Sequence, residues 1–96
     1  MSESPQDAIK GSSMYPKYSS GDLVACKRLT SWSFFQWGKV YVLYTHQGPI
    51  IKRICKGEDE EHVLIVSDNS ERYDPFPLHR REILDVAIVV GVIRLE

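Results

Sequence analysis

The sequence predicts a small, mostly β domain built from bent antiparallel strands, and three observations carry that prediction. Short runs rich in Val, Ile and Tyr recur between Gly-, Asn- and Pro-marked turns, roughly every ten residues. No stretch sustains the 3.6-residue apolar period of a helix. The chain has 96 residues, of which 43% are hydrophobic, enough for one modest core.

Residues 1–10 (MSESPQDAIK) are polar and lack the apolar stretch of a signal peptide, so they read as a leader or linker remnant ahead of a domain spanning 11–96. GSSMYPKYSSGD is dense in Gly, Ser and Pro and reads as turns. Leu23 to Arg28 is β-compatible and follows the Gly21-Asp22 turn. An aromatic cluster, Ser31 to Trp37, ends at Gly38. Its expected role is core filling or a lid, with an exposed partner surface as the alternative.

Val40 to Thr45 and Pro49 to Lys56 flank Gln47-Gly48 as a hairpin. Lys56 to Asp59 forms another turn, and the acidic run Glu58 to Glu61 is expected to be its solvated tip. His62 to Ser67 is a further strand, closed by Asp68-Asn69, where Asp68 suits a turn-forming role. Tyr73 to Pro77 is extended and proline-bound, suited to an edge or a crossing loop. Leu84 to Leu95, interrupted by Gly91, is one bent strand or two short ones.

Charge and cysteine content narrow the function. The formal net charge is −1, and the basic pairs Lys27-Arg28 and Arg80-Arg81 make no stripe, so the domain has no field to recruit DNA by itself. Cys26 and Cys55 form no CxxC motif, and His46, His62 and His79 are scattered, so no metal and no cofactor are expected. The cysteines suit two small buried hydrophobes in a reducing compartment. No apolar run approaches the length of a membrane span, so a cytoplasmic protein with no membrane partner is expected.

The chemistry gathers on two residues. Gly11-Ser12-Ser13-Met14-Tyr15-Pro16 places a serine in a glycine-led turn, which can present backbone N–H groups beside a hydroxyl. Ser13 is the candidate nucleophile, and Ser12 its internal competitor. A serine needs a base, and no histidine stands in a triad-like motif. A lysine can serve if burial lowers its pKa. Strand alternation puts Lys52 on one face with Ile50 and Ile54, and Arg53 on the other with Ile51 and Cys55. Taken alone, the pair also fits a turn serine and a strand lysine with its head in water.

The ordered motifs GSSMYP, SGDLV, GKVYVL, IIKRI, SDN with Tyr73 and Pro75, and VVGVI resemble the LexA/UmuD-type peptidase family, over roughly Gly11 to Ile93. Its Ser-Met pattern falls on Ser13-Met14 and its Lys-Arg pattern on Lys52-Arg53. The resemblance implies a small β fold like that of LexA and signal peptidases, and a Ser13–Lys52 dyad with the backbone N–H groups of Ser12 and Ser13 as oxyanion donors. It also implies self-cleavage at a peptide linker of its own or a related chain, and a homodimer. DNA would be reached only through an N-terminal helix-turn-helix domain, and the SOS-type phage repressors of the family add a RecA-type filament as partner. The apolar run Val86 to Val90 suits the expected dimer.

Two departures shape the expectation. No helix-turn-helix precedes the domain, and no Ala-Gly or Cys-Gly pair lies upstream of Gly11. The chain is therefore expected to hold the catalytic half without its own substrate. The alternative is a catalytically idle dimerisation module of a DNA-binding regulator. A signal-peptidase-type enzyme shares the Ser-Met and Lys-Arg pattern, but the absence of an apolar anchor argues against it.

Overall fold

In a computed structural model, residues 6–8 and 22–94 are described. Among the described residues seven strands follow in chain order: β1 (Gln6–Ala8), β2 (Leu23–Arg28), β3 (Lys39–Thr45), β4 (Gly48–Lys56), β5 (His62–Val66), β6 (Phe76–His79) and β7 (Ile83–Ile93). A single 3₁₀ turn, Arg80–Glu82, joins β6 to β7, and there is no α-helix among the described residues. The mostly β, antiparallel architecture read from the turn spacing is the architecture found. Strand limits agree to a residue or two where Val- and Ile-rich runs meet a turn.

One sheet carries all seven strands in the order β1-β2-β7-β3-β4-β5-β6, every neighbour antiparallel. The three hairpin-linked neighbours β3, β4 and β5 follow local turns. In the β3–β4 hairpin, Gly48 adopts φ +107°, a conformation that disfavours a side chain. The Thr45 hydroxyl donates to the Gly48 carbonyl at 2.9 Å and accepts from the Gln47 N–H at 3.1 Å. β7 is the long-range element, inserted between β2 and β3. β1 lies within the polar segment that composition reads as a leader. It pairs with Leu23–Ala25 at the sheet edge, where a strand needs no apolar signature.

β7 is one bent strand. Against β2 its register slips between Ala25 and Cys26, whose partners are Gly91 and Val89, so Val90 is an extra residue. Against β3 it slips between Tyr44 and Thr45, whose partners are Asp85 and Ile83, so Leu84 is extra. Bulges of this kind bend and twist a strand. Both extra residues face water, Leu84 at 52% and Val90 at 62% exposure.

Alternation along the strands sends two apolar clusters to opposite faces. One contains Val24, Cys26, Val40, Val42 and Ala87, with Ile51 and Val89 packed against it. The larger contains Tyr41, Leu43, Ile54, Val63, Ile65 and Val86, together with Phe35. Leu29 and Trp32 pack against this larger cluster, so the 29–35 segment covers that face.

The aromatic segment divides between core and solvent. Phe35 is buried and meets Tyr41 edge-on, with ring centroids 5.3 Å apart. Phe34 and Trp37 are exposed. The Tyr41 hydroxyl accepts from the Gln36 N–H at 2.9 Å. Arg80, of the basic pair Arg80-Arg81, is half-buried. Its guanidinium lies 5.2 Å from the Phe35 ring centre and donates to the carbonyls of Trp32 and Ser33. Sequence could not show this because the partners are nearly fifty residues away.

Candidate active site

β4 places Lys52 in the middle of the sheet, between Tyr41 on β3 and the end of β5. Its companions in alternation, Ile50 and Ile54, belong to the larger cluster, so Lys52 rises from that same face. Arg53 pairs with Val66, and one further step of this antiparallel register sets Lys52 opposite Ser67. The side chains meet: Lys52 Nζ donates to Ser67 Oγ at 3.1 Å. Tyr73 brings its ring to 5.4 Å from the same nitrogen.

No carboxylate among the described residues forms an ion pair with Lys52. Partial burial holds its amine below the ordinary value of 10.5, because desolvation penalises the charged form. A lysine in this state has a larger neutral fraction than a surface lysine and can accept a proton.

Ser67 is itself buried, with 4% of its surface exposed. A hydroxyl so enclosed is placed to orient the amine. Sequence reading took Ser67 only as the end of a strand. The signal that would have found it is register: once the β4–β5 turn is fixed, pairing brings Ser67 to Lys52.

Arg53 points to the opposite face and grips the residue after Ser67. Its Nε and Nη2 donate to the two carboxylate oxygens of Asp68, at 2.5 and 3.2 Å, and its Nη1 donates to the Gly38 carbonyl at 2.7 Å. Asp68, expected in a turn-forming role, thus gives its carboxylate to a two-point arginine fork. The neighbouring turn is closed by the Asn69 carbonyl, which accepts from the N–H groups of Arg72 and Tyr73.

Lys52 and Arg53 thus stand side by side on β4, one engaging Ser67 and the other Asp68. A family model described as Peptidase S24-like matches residues 8–93. The chain belongs to that family, which is the LexA/UmuD-type peptidase family. Compared with curated proteins, the chain finds no match.

Within this S24-like frame, the basic half of the expected dyad is Lys52, with the surroundings given above. Ser12 and Ser13, the expected oxyanion donors and nucleophile, lie outside the described residues. The histidines, scattered in sequence, are partly brought together. His62 and His79 are register partners on β5 and β6, with ring centroids 4.8 Å apart. Asp59 holds His62 at 2.8 Å, and Glu61 holds His79 at 3.3 Å. Among the described residues no group of three His, Cys, Asp or Glu side chains could hold a metal ion. Cys26 is buried and Cys55 is half-buried.

No helix among the described residues is long and apolar enough to cross a membrane. The run Val86 to Val90, which suited a dimer, belongs to a central strand. Both backbone edges of β7 are taken by β2 and β3, and Val86 and Ala87 are fully covered, leaving Val90 as the exposed member.

Proposed function

We propose that this domain is a serine peptidase that works by a Ser–Lys dyad, with Ser13 as nucleophile and Lys52 as general base. The observation that carries the reading is Lys52 itself: a half-buried amine with a lowered pKa, held, among the described residues, by a neutral hydroxyl rather than by a carboxylate. A lysine placed for charge would gain from a carboxylate partner. A lysine placed for proton transfer needs to be neutral part of the time and aimed.

In the first half-reaction, neutral Lys52 takes the proton from the Ser13 hydroxyl as Oγ adds to the peptide carbonyl. The backbone N–H groups of Ser12 and Ser13 receive the charge that develops on the carbonyl oxygen. The protonated Lys52 then gives its proton to the departing amine, leaving an acyl-serine. In the second, Lys52 takes a proton from water, the hydroxide adds to the ester carbonyl, and Ser13 leaves with the proton returned by the lysine. Ser67 keeps the amine pointed at this exchange.

The family supplies the substrate class, a peptide linker of the same or a related chain. It also extends the proposal to a homodimeric regulator whose DNA contacts belong to another domain, in keeping with the net charge of −1.

The rate of cleavage rises with pH until Lys52 is fully neutral, because only the unprotonated amine is a base. The test is a version with an Ala-Gly-containing linker fused ahead of Met1, followed by electrophoresis across neutral to alkaline pH. Cleavage abolished in both Ser13→Ala and Lys52→Met, but retained at a reduced rate in Ser67→Ala, is the expected result. Cleavage that persists without Ser13 but vanishes without Ser67 would make Ser67 the nucleophile. No cleavage at any pH would leave the domain as an idle dimerisation module.

A further inference from the structure

We propose that the Arg53–Asp68 pair is a positioning device for the base: it clasps the chain beyond β5 from the reverse face of the sheet so that Ser67 meets Lys52. The inference rests on the Ser–Lys reading for its purpose, but its geometry stands without it. Two successive residues of β4, Lys52 and Arg53, engage two successive residues after β5, Ser67 and Asp68. Because side chains alternate, the two contacts lie on opposite faces. One is a single neutral-acceptor bond of 3.1 Å, and the other is a two-point ionic fork of 2.5 and 3.2 Å.

The two contacts differ in strength. Bidentate arginine–carboxylate bonding fixes direction as well as distance, whereas a lone lysine-to-hydroxyl bond fixes little. The fork is also sheltered, with the Arg53 side chain 26% and the Asp68 side chain 14% exposed. Val66 is the last residue of β5, so Ser67 and Asp68 lie beyond its end. There the fork replaces the ladder in holding the chain to β4. The same guanidinium reaches the Gly38 carbonyl, where the aromatic segment enters β3 with φ +85° at the glycine. Arg53 thus ties the segment that covers the Lys52 face to Asp68, the chain neighbour of the residue that orients Lys52.

The described groups facing Lys52 are Tyr41 from β3, Ser67 after β5 and the Tyr73 ring. None of them brings a carboxylate or a second amine. The position of Ser67 and the cover around the amine therefore govern its titration. Releasing the clasp lets water reach the amine, and its titration midpoint moves up toward those of exposed lysines.

The test uses the full chain with ¹³C-labelled lysine, following each side-chain resonance by NMR against pH and assigning Lys52 by its loss in Lys52→Arg. The variant is the double replacement Arg53→Met with Asp68→Asn. It removes the pair as a neutral whole, so the local net charge is unchanged and the midpoint reports geometry. The expected result is a higher Lys52 midpoint, with the other lysines unmoved. At a pH well below the midpoint, raising that midpoint by about one pH unit leaves roughly a tenth as much neutral amine.

A folded double variant whose Lys52 midpoint equals that of the parent would overturn the proposal, since a merely structural pair lowers stability without moving that midpoint. If the double variant does not fold, Arg53→Lys keeps the charge without the planar fork and is read in the same way. Labelling of Ser13 by a fluorophosphonate, located by mass spectrometry, is measured alongside. Absent labelling in the parent chain rejects the Ser–Lys reading, while the Lys52 midpoint still decides for or against the clasp.

Discussion

The β3–β4–β5 ladder and the β7 strand solve the same packing problem in different ways. From Lys39 to Thr45 the β3–β4 register runs without a slip, and the β4–β5 register is likewise unbroken from Arg53 to Lys56. β7 slips once against each neighbour and sheds Val90 and Leu84 to solvent. The difference shows where accuracy is spent. A slip of one residue in β4 would exchange Lys52 for Arg53 on the face of the larger cluster. A bulge in β7 only bends the sheet, and the surrounding core, Val86 and Ala87, remains covered.

The comparison breaks first, and by the largest amount, in the unbroken ladder. Ile54 is fully buried beside Tyr41 and Phe35 in the larger cluster. Ile54→Ala removes its methyl groups and leaves a cavity, costing about 2–5 kcal/mol of unfolding free energy in urea titrations. In a domain of this size that is a large share of the total, roughly 5–15 kcal/mol for folded proteins in general.

A smaller effect, with the opposite sign, is expected at Lys52. Its folded-state pKa lies below 10.5, so the folded chain binds fewer protons than the unfolded chain between the two values. Stability contributed by this group therefore rises as pH increases through that window, and at neutral pH the buried charge is a cost. Lys52→Met removes both features. The variant should be at least as stable as the parent at pH 7, should lose the alkaline rise in melting temperature, and should be inert as a peptidase. Thermal unfolding at pH 7 and above 9 distinguishes this from a lysine that serves stability, whose removal would lower the melting temperature throughout.

The smallest effect belongs to the bulge. Val90→Thr keeps a β-branched side chain at an exposed extra residue, so the change in unfolding free energy should stay within about 0.5 kcal/mol. A larger loss in a monomeric sample would show that the Val90 bulge is part of the core. A loss that is present at high protein concentration and vanishes on dilution would instead show that Val90 is covered by a second copy.

Much of the strand pattern was legible because it is local. Leu23 to Arg28, Val40 to Thr45 and His62 onward are β-branched or aromatic runs that end at turn residues, and such runs fold as strands wherever one face is covered. Lys52 was legible too, since alternation alone seats it with Ile50 and Ile54. The short edge strands were less so. Gln6–Ala8 has no apolar signature, and Phe76–His79 is split by Pro77, so neither carries a period that marks it.

By itself, then, the sequence determined the longer strands, the hairpin turns, the residues that share a face with Lys52 and the family to which the chain belongs. These follow from nearest-neighbour chemistry and the two-residue period of an extended chain. The tertiary structure decided what the basic residues touch. It brought Ser67 to Lys52 and Asp68 to Arg53 across fifteen residues, and Arg80 to the aromatic segment across nearly fifty. It also inserted β7 between β2 and β3, which turned an apolar C-terminal run into a central strand. Such pairings depend on strand order and register, which many distant contacts fix together, and no local stretch of residues encodes them.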